Sequence, residues 1–464
     1  MNVFLADRCS RLPAGWSETT LALTLAAVLA APSAVVADSG AEPLPTASAR
    51  PGPDKAKPRT VRKTQLEPVR GWAFSRLRRS HDALAAEDFA TSERELGEMR
   101  DNENLNSHER AMMWQTYGYL YATRGEQQKA AEAFAACLAE GGLPLKTQRS
   151  VESNLAQIYL MLGQYGKAIE GFESWFAAAD EAPPASAHYM LALAYAQSDD
   201  MVGAMPHAEI AVERSPEPHE GRLQLLSAIY FRLQRYPELL GVLETLTENF
   251  SKKSYWMQLS AIYVELGETD KAVGAQELVF EQGWMNAHRE YVTLARLLLQ
   301  AGVPFEAAQV LERGFAQGHI DENEESWDLL ASAYLQAREY ATALAPLERA
   351  AEAATSGAVY VRLGEVYLGE EDWAAARRAL DAGIRKGRLD DPGRAFLLLG
   401  IANANERRFD EAHYAFAEAR KFDQVAETAR QWLAHVERER QTDVDGDSPG
   451  PVADSQPAAP ATGA

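Results

Sequence analysis

The sequence predicts an all-α fold: a right-handed superhelical solenoid of about ten helix hairpins with a C-terminal capping helix. A pattern of small and aromatic residues recurs every 33 to 38 residues along most of the 464-residue chain, which is the length of one two-helix unit. We find no alternating apolar and polar runs of the kind that strands require. With 46% hydrophobic and 24% charged residues, the composition is that of a globular protein. An array of hairpins can be this long because each unit packs only on its neighbours.

Residues 1–37 are predicted to be a signal peptide. Arg8 and Arg11 give a positive start, residues 21–31 form a short apolar stretch, and small residues at 35–37 precede Asp38. The alternative is an uncleaved membrane anchor, but the apolar stretch is short for a membrane span. We therefore expect cleavage, export to the periplasm of a Gram-negative bacterium, and no transmembrane segment in the mature chain.

The charge is unevenly distributed along the sequence. Residues 38–80 contain ten Lys or Arg against four Asp or Glu, whereas the whole chain carries −21, so residues 81–464, with the signal neutral, carry −27. A body of this charge repels nucleic acid and anionic lipid. Residues 38–68 are predicted to be a basic, disordered leader, which serves either as a solvated tether or as a patch for anionic membrane or wall polymer. Residues 441–464 are predicted to be a disordered, Pro- and Ala-rich tail.

The clearest copy of the repeat lies in residues 111–144. Gly118 and Ala130 are small residues where two helices cross closely, and large aromatic residues fill the space on either side. Gly125 supports the tight turn between the helices. The predicted structural residues of this copy are Trp114, Gly118, Tyr121, Ala130 and Phe134.

Ten copies of this pattern fit within residues 69–440, and the pattern resembles the tetratricopeptide repeat. The first copy is degenerate and surrounds Phe89, and residues 425–440 are amphipathic and charged, as a capping helix should be. An irregular all-helical domain is the structural alternative. Pro206 and Pro346 fall early in second helices, where each costs a hydrogen bond or bends the helix unless it lies in the first turn.

No motif in the chain indicates catalysis, a metal site or a cofactor. The nine His residues are scattered without metal-ligand spacing, and we find neither a phosphate-binding Gly loop nor a CxxC pair. Cys137 falls at a packed repeat position, where a thiol is inert. Carboxylates occur at helix-surface spacing, so a glycosidic acid–base pair is an alternative that the sequence leaves open. We predict that the protein is not an enzyme.

The first helix of each hairpin is predicted to line an inner groove that binds partner proteins. Amides in such a groove would hydrogen-bond the backbone of an extended peptide, and aromatic rings would cover its side chains. For each residue alone, the alternative is an ordinary solvated helix face. The predicted partner-binding residues are Tyr119, Gln157, Tyr189, Gln197, Gln224, Phe231, Met257, Gln258, Arg296, Gln300, Asp328, Gln336 and Arg362.

Five stretches outside the repeat consensus resemble one bacterial family, the periplasmic tetratricopeptide-repeat proteins associated with TonB–ExbB–ExbD energy-transducing systems. The resemblance covers most of the chain between residues 70 and 440. It implies a periplasmic scaffold or adaptor that supports TonB-dependent outer-membrane transport, with TonB-like or ExbB/ExbD-like proteins as partners. The stretches are LNSHERAMMW (105–114), KKSYWMQLSAIYVELGE (252–268), EESWDLLASAYLQAREY (324–340), LDDPGRAFLLLGIA (389–402) and ARQWLAHVERE (429–439).

Two other classes of function remain as alternatives. The array would equally suit a scaffold for cell-envelope or exopolysaccharide assembly enzymes, which the genomic neighbourhood would distinguish. An enzyme such as a wall-cleaving hydrolase would require a compact catalytic domain, for which residues 81–440 leave no room.

Overall fold

The structure, a computed structural model, describes residues 67–179 and 181–445. Over these residues it contains 21 helices and no strand, which confirms the predicted all-α solenoid class. The helices form ten hairpins followed by one final helix, as the sequence pattern predicts. We call the first helix of each hairpin helix A and the second helix B. The predicted signal peptide, the leader up to residue 66 and the tail from residue 446 lie outside the described residues.

The chain divides into two compact units, with the division between residues 259 and 260. The helices that lie within or begin in the first unit are α1 Gly71–Ala85, α2 Phe89–Arg100, α3 Ser107–Thr123, α4 Gln127–Ala139, α5 Leu145–Met161, α6 Tyr165–Ala177, α7 Ala185–Gln197, α8 Met201–Glu213, α9 Glu220–Arg232, α10 Tyr236–Phe250 and α11 Lys253–Glu265. The helices of the second unit are α12 Thr269–Glu281, α13 His288–Gln300, α14 Pro304–Ala316, α15 Glu324–Gln336, α16 Tyr340–Ala353, α17 Ala358–Gly369, α18 Trp373–Lys386, α19 Pro392–Asn405, α20 Phe409–Ala419 and α21 Ala426–Asp445.

All ten turns between helix A and helix B contain one residue with left-handed backbone. At Gly125 φ is 75°, and the next N–H, that of Glu126, donates to the Tyr121 carbonyl at 2.9 Å, which satisfies a carbonyl at the end of helix A. Only four of these residues are glycine, which adopts positive φ at little cost. The ten are Glu87, Gly125, Gly163, Asp199, Gln234, Gly267, Gly302, Arg338, Glu371 and Arg407.

Within a hairpin, a glycine of helix A receives a large side chain from helix B sixteen residues later. A Cβ atom at Gly118 would overlap the ring of Phe134, which is fully buried. A Cβ at Gly400 would lie 2.5 Å from the Phe416 ring, and Gly364 meets Leu380 in the same way. The interior is close-packed, so this register fixes how each of these helix pairs crosses. The structural role predicted for Gly118, Ala130 and Phe134 fits these contacts, since all three are buried.

Successive hairpins are joined by a repeated tyrosine–glutamate hydrogen bond. The Tyr230 hydroxyl on α9 donates to Glu209 on α8 at 2.8 Å, and the Tyr367 hydroxyl on α17 donates to Glu348 on α16 at 2.5 Å. Tyr195 with Glu173 and Tyr334 with Glu312 repeat the contact. Burial of the ring and the neighbouring carboxylate raise the pKa of Tyr230 to about 12. Each bond therefore links helix A to helix B of the preceding hairpin through a neutral phenol.

The first two hairpins are also joined through Glu109, which lies buried at the start of α3. Its carboxylate accepts hydrogen bonds from the backbone and side chain of Arg70, which directly precedes α1. The Asn106 side chain caps α3, and the Asn106 N–H donates back to Glu109 at 3.1 Å. The hydrogen bonds from the Arg70 side chain lower the pKa of Glu109 to about 2 against the opposing effect of burial. Arg70 thereby fixes the start of α1 against the next hairpin.

The C-terminal helix α21 covers the last hairpin, as the sequence predicts for a capping helix. The buried Trp432 ring stacks on Phe416 with a centroid distance of 5.5 Å, and Val436 is buried beside it. The helix includes residues up to Asp445, past the predicted boundary at residue 440.

The two helix prolines lie deeper in their helices than the first turn. Pro206 is the sixth residue of α8 and Pro346 the seventh of α16, and both helices continue past the proline. Each proline lacks the N–H that would bond the preceding turn. Neither proline lies in the first turn, so the predicted cost of one helix hydrogen bond applies to each. In the segments 67–179 and 181–445, no helix is both long and apolar enough to cross a bilayer.

Candidate interaction surface

The predicted groove residues lie on the A helices, and in the first unit they form a surface of amides and aromatic rings. We call this surface the amide–aromatic face and define it by Tyr119, Asn154, Gln157, Tyr189 and Gln224. They lie on α3, α5, α7 and α9; Tyr119 is exposed and the other four are half-buried. No charged side chain belongs to this set.

Neighbouring A helices contact each other across this face. The Asn154 side-chain amide on α5 donates to the Tyr119 hydroxyl on α3 at 3.2 Å. Tyr119 is 36% exposed, and its ring packs edge-on against Phe134 beneath it. The exposed phenol and amide therefore stand side by side on a rigid base.

The face continues along the next three A helices. Tyr189 on α7 points toward α9, since a methyl group added to Gly221 would lie 3.6 Å from its hydroxyl. Burial raises the pKa of Tyr189, so its hydroxyl is a neutral hydrogen-bonding group. The Gln224 amide on α9 donates to the Tyr255 hydroxyl on α11, so α9 and α11 are also joined through polar side chains.

A charged pair borders the amide–aromatic face at α9 and α11. Glu220 accepts hydrogen bonds from the Tyr255 hydroxyl and from Lys252, the latter at 2.5 Å. Although burial alone would raise the pKa of Glu220, these hydrogen bonds lower it. The Glu220 carboxylate is thus ionised, and Lys252 balances its negative charge.

The remaining predicted residues of the first unit are not equally accessible. Gln157, Phe231 and Met257 are half-buried, and Gln197 accepts a hydrogen bond from Tyr165 at 3.4 Å at the end of α7. Gln258 is only 8% exposed, so its inclusion in the groove is wrong. Met257 and Gln258 are adjacent and project about 100° apart on the helix, so both cannot face the same surface.

In the second unit the corresponding surface is charged, and its charges are paired between successive hairpins. Arg296 pairs with Glu325 at 2.5 Å, Arg362 donates both terminal nitrogens to Asp328, and Arg394 donates to Glu365 at 2.7 Å. We call these six residues the charged face. Burial raises the pKa of Glu365 despite the nearby Arg394. Gln300 and Gln336 lie exposed at the ends of their A helices.

A shallow cavity of about 380 Å³ lies between α15 and α17 on the charged face. Its polar groups already have partners: Glu325 bonds Arg296, Asp328 bonds Arg362, and Glu324 accepts from the Thr355 N–H at 3.2 Å. A charged ligand here would have to replace an existing ion pair. Its lining residues are Glu324, Glu325, Asp328, Ala358, Val359 and Arg362.

Sequence reasoning missed Asn154, Glu325, Glu365 and Arg394 as members of these surfaces. The first three each lie three residues from a residue that was predicted: Gln157, Asp328 and Arg362 respectively. Residues three apart on a helix share a face, so extending each prediction by one turn would have found them. Which residues pair across hairpins could not be predicted, because the partners are about 30 positions apart in sequence.

Over residues 67–179 and 181–445, no group of three or more His, Cys, Asp or Glu side chains is arranged to hold a metal ion. Cys137 is buried, and burial raises its thiol pKa to about 12, which suppresses the reactive thiolate. His188 is buried in the core and packs against Phe176. The surfaces suit binding of a polypeptide.

Comparison with known proteins identifies the repeat type. Residues 153–217 and 361–426 match the family model described as "Tetratricopeptide repeat". No curated protein sequence matches the chain. Among solved structures, the chain is similar to a tetratricopeptide repeat protein from Parabacteroides merdae ATCC 43184, with 15% identity, a TM-score of 0.31, and coverage of 63% of this chain and 98% of that one.

Two further solved structures show a similar low-level likeness. MamA (residues 41 to the end) from Desulfovibrio magneticus RS-1 has 22% identity and a TM-score of 0.33, covering 39% of this chain and 94% of that one. YrrB, a TPR protein with an unusual peptide-binding site, has 18% identity and a TM-score of 0.32, covering 36% and 83%. At TM-scores this low, we draw no functional conclusion from these likenesses. From its two family matches and its ten hairpins, the chain contains tetratricopeptide repeats in both of its units.

Proposed function

We propose that the protein is a non-enzymatic scaffold that binds extended segments of partner proteins on the amide–aromatic face. The observation that carries this proposal is the contact of Asn154 with Tyr119 across two A helices. It places a backbone-binding amide beside a partly exposed ring on a rigid surface. Uncharged amides and rings on successive A helices suit the recognition of an extended peptide.

The chemistry of the face favours an extended, proline-containing segment. Amide and hydroxyl groups can both donate to and accept from a peptide backbone, and flat rings cover proline side chains. A segment that is already extended loses little conformational entropy on binding. The charged face of the second unit is less suited to this role, because its side chains already form ion pairs with one another.

The partner that we propose is a TonB-like or ExbB/ExbD-like protein of the periplasm. This step rests on the family resemblance of the five sequence stretches and on the predicted signal peptide. TonB-like linkers are extended and rich in Pro and Lys, and a body with a net charge of −27 in residues 81–464 attracts such a segment. The protein would then support TonB-dependent outer-membrane transport.

Titration of the protein with a Pro- and Lys-rich linker peptide tests both parts of this proposal. We expect binding at low salt that weakens at physiological ionic strength, where screening acts over about 8 Å. Replacing Tyr119 and Asn154 by Ala should weaken binding about tenfold at either salt concentration, since it removes a ring and an amide contact. The matched control is Tyr414→Ala, an exposed aromatic on α20 in the second unit.

The possible outcomes test the proposed partner and the proposed binding surface separately. Failure of the peptide to bind at low salt would reject the TonB-like partner. Binding that the Tyr119 and Asn154 substitutions leave unchanged would reject the amide–aromatic face.

Export is tested separately by N-terminal sequencing of the mature protein. We expect a start near Asp38, and an intact Met1 on membrane-extracted protein would contradict the predicted cleavage.

A further inference from the structure

The residues of the amide–aromatic face keep a regular register relative to the turns of their hairpins. Tyr119 and Gln157 each lie six positions before the left-handed turn residue of their hairpin. Tyr189 and Gln224 each lie ten positions before theirs. Because residues four positions apart are neighbours on a helix surface, both sets lie on the same side of the A helices. The four turn residues are Gly125, Gly163, Asp199 and Gln234.

Rings and amides alternate along this register from one A helix to the next. On α3, α5, α7 and α9 in turn, the residues are Tyr119, Gln157, Tyr189 and Gln224. These helices are neighbours, since Asn154 on α5 donates to Tyr119 on α3 at 3.2 Å and α7 contacts both α5 and α9. Two rings therefore flank a helix that carries amides.

The separation of the two rings follows from helix geometry. Packed helices lie about 8–10 Å apart, so two steps from α3 to α7 cover about 16–20 Å. The shift of four positions between Tyr119 and Tyr189 adds about 6 Å along the helix axis. The path from one ring to the other is therefore about 17–21 Å long.

We propose that the amide–aromatic face binds a polyproline II segment whose prolines at positions i and i+6 lie on Tyr119 and Tyr189. This inference rests on the proposed function and specifies the segment that the face recognises. A polyproline II helix rises about 3.1 Å per residue, so six residues span about 19 Å, which matches the path between the rings. Five residues span about 16 Å and seven about 22 Å, and neither length matches that path.

The amides of α5 distinguish this conformation from a β-strand. Polyproline II has three residues per turn, so residue i+3 lies on the same side as the two prolines and meets Asn154 and Gln157. The backbone groups of such a segment have no internal hydrogen bonds, so they can bond these amides. In a β-strand the side chains alternate, and that of residue i+3 would point away from the face.

The lack of charge among the residues that define the face indicates where the cations of the segment lie. A Lys at position i, i+3 or i+6 would lose water on the face without gaining a partner for its charge. Lys at the intervening positions instead points away from the face, in the field of a chain that carries −27 in residues 81–464. The preferred segment therefore has a period of three residues, with Pro toward the protein and Lys away from it.

Two peptides of identical composition test this spacing by fluorescence anisotropy at low salt. PAKPAKPAKPAK places prolines six positions apart, whereas PAKPAAKPAKPK contains no two prolines at that separation. We expect the first peptide to bind about tenfold more tightly, because the second can place only one proline on a ring. Tyr189→Ala should remove this preference, since only one ring remains, and Tyr119→Ala should do the same.

The matched control is Tyr340→Ala, which removes an exposed ring of a B helix in the second unit and should leave the preference unchanged. Circular dichroism establishes that each variant is folded, and either of the two face variants suffices for the test. Equal binding of the two peptides to the native protein, or a preference that survives loss of either ring, would overturn this inference and leave the proposed function standing. Failure of both peptides to bind would reject the proposed function and this inference with it.

Discussion

The close approach of Gly118 and Phe134 predicts opposite effects for the same substitution at two glycines. A Cβ atom at Gly118 would overlap the Phe134 ring, whereas no heavy atom lies within 4 Å of a Cβ at Gly241 on α10. Ala is favoured over Gly by about 1 kcal/mol inside a helix. At Gly241 this gain stands alone, so Gly241→Ala should stabilise the protein by up to about 1 kcal/mol.

At Gly118 the gain is opposed by overpacking. Phe134 is fully buried and packs on Tyr119, so it cannot move away freely, and overpacking costs about 1–3 kcal/mol. We expect Gly118→Ala to lower the free energy of unfolding by about 1 kcal/mol and Gly118→Leu to lower it considerably more. Gln197→Leu, at the end of α7, should stay within about 0.5 kcal/mol.

Equilibrium urea unfolding followed by circular dichroism measures these effects as shifts of the midpoint. Because hairpins in an array unfold with partial independence, the sign of the shift is a firmer test than its size. Shifts of the same sign for Gly118→Ala and Gly241→Ala would refute the reasoning, as would equal losses for Gly118→Leu and Gln197→Leu.

Three further perturbations test contacts between helices. Tyr334→Phe removes a hydrogen bond to the preceding B helix and should lower the free energy of unfolding by about 1 kcal/mol. Burial, followed by the neighbouring His207, lowers the pKa of His188 to about 4, and burial lowers that of His207. A depressed histidine pKa means that the unfolded chain takes up the proton first, so stability should fall by about 1–2 kcal/mol between pH 7 and pH 5. Trp432→Ala leaves a cavity between the capping helix and Phe416 and should lower the free energy of unfolding of the last hairpins by about 3–5 kcal/mol.

Each of these predictions has a control in the same chain. Tyr340→Phe and Tyr414→Ala alter exposed rings and should change stability by less than about 0.5 kcal/mol. The acid sensitivity should largely disappear in the variant His188→Phe, because the His188 ring already packs at a tilt against Phe176. An undiminished loss between pH 7 and pH 5 in that variant would show that other groups cause it.

The sequence predicts the hairpins well because their packing is local. Gly118 and Phe134 are sixteen positions apart, and the pattern of small and large residues over that distance reveals the register of each helix pair. The turns were harder, because six of the ten left-handed residues, such as Asp199 and Arg338, are not glycine. Apart from Asp199, the residues at those positions have no marked preference for left-handed backbone, so the sequence does not predict it.

The candidate surface was predictable only in part. The repeat pattern predicts which helices carry the surface. It does not predict which residues are accessible, because successive residues of a helix are rotated by about 100°. This rotation separates the half-buried Met257 from the buried Gln258. The change from amides in the first unit to paired charges in the second was not foreseen. It depends on partners in different hairpins, such as Asp328 and Arg362, whose proximity only the folded chain creates.

The most direct test of the central claim is hydrogen–deuterium exchange of the protein with and without a bound Pro- and Lys-rich linker peptide. Binding on the amide–aromatic face predicts slower exchange in α3, α5, α7 and α9, with the paired B helices and the second unit little changed. Protection confined to the B helices, to α21 or to the charged face would contradict the proposal that the first-unit A helices bind the partner.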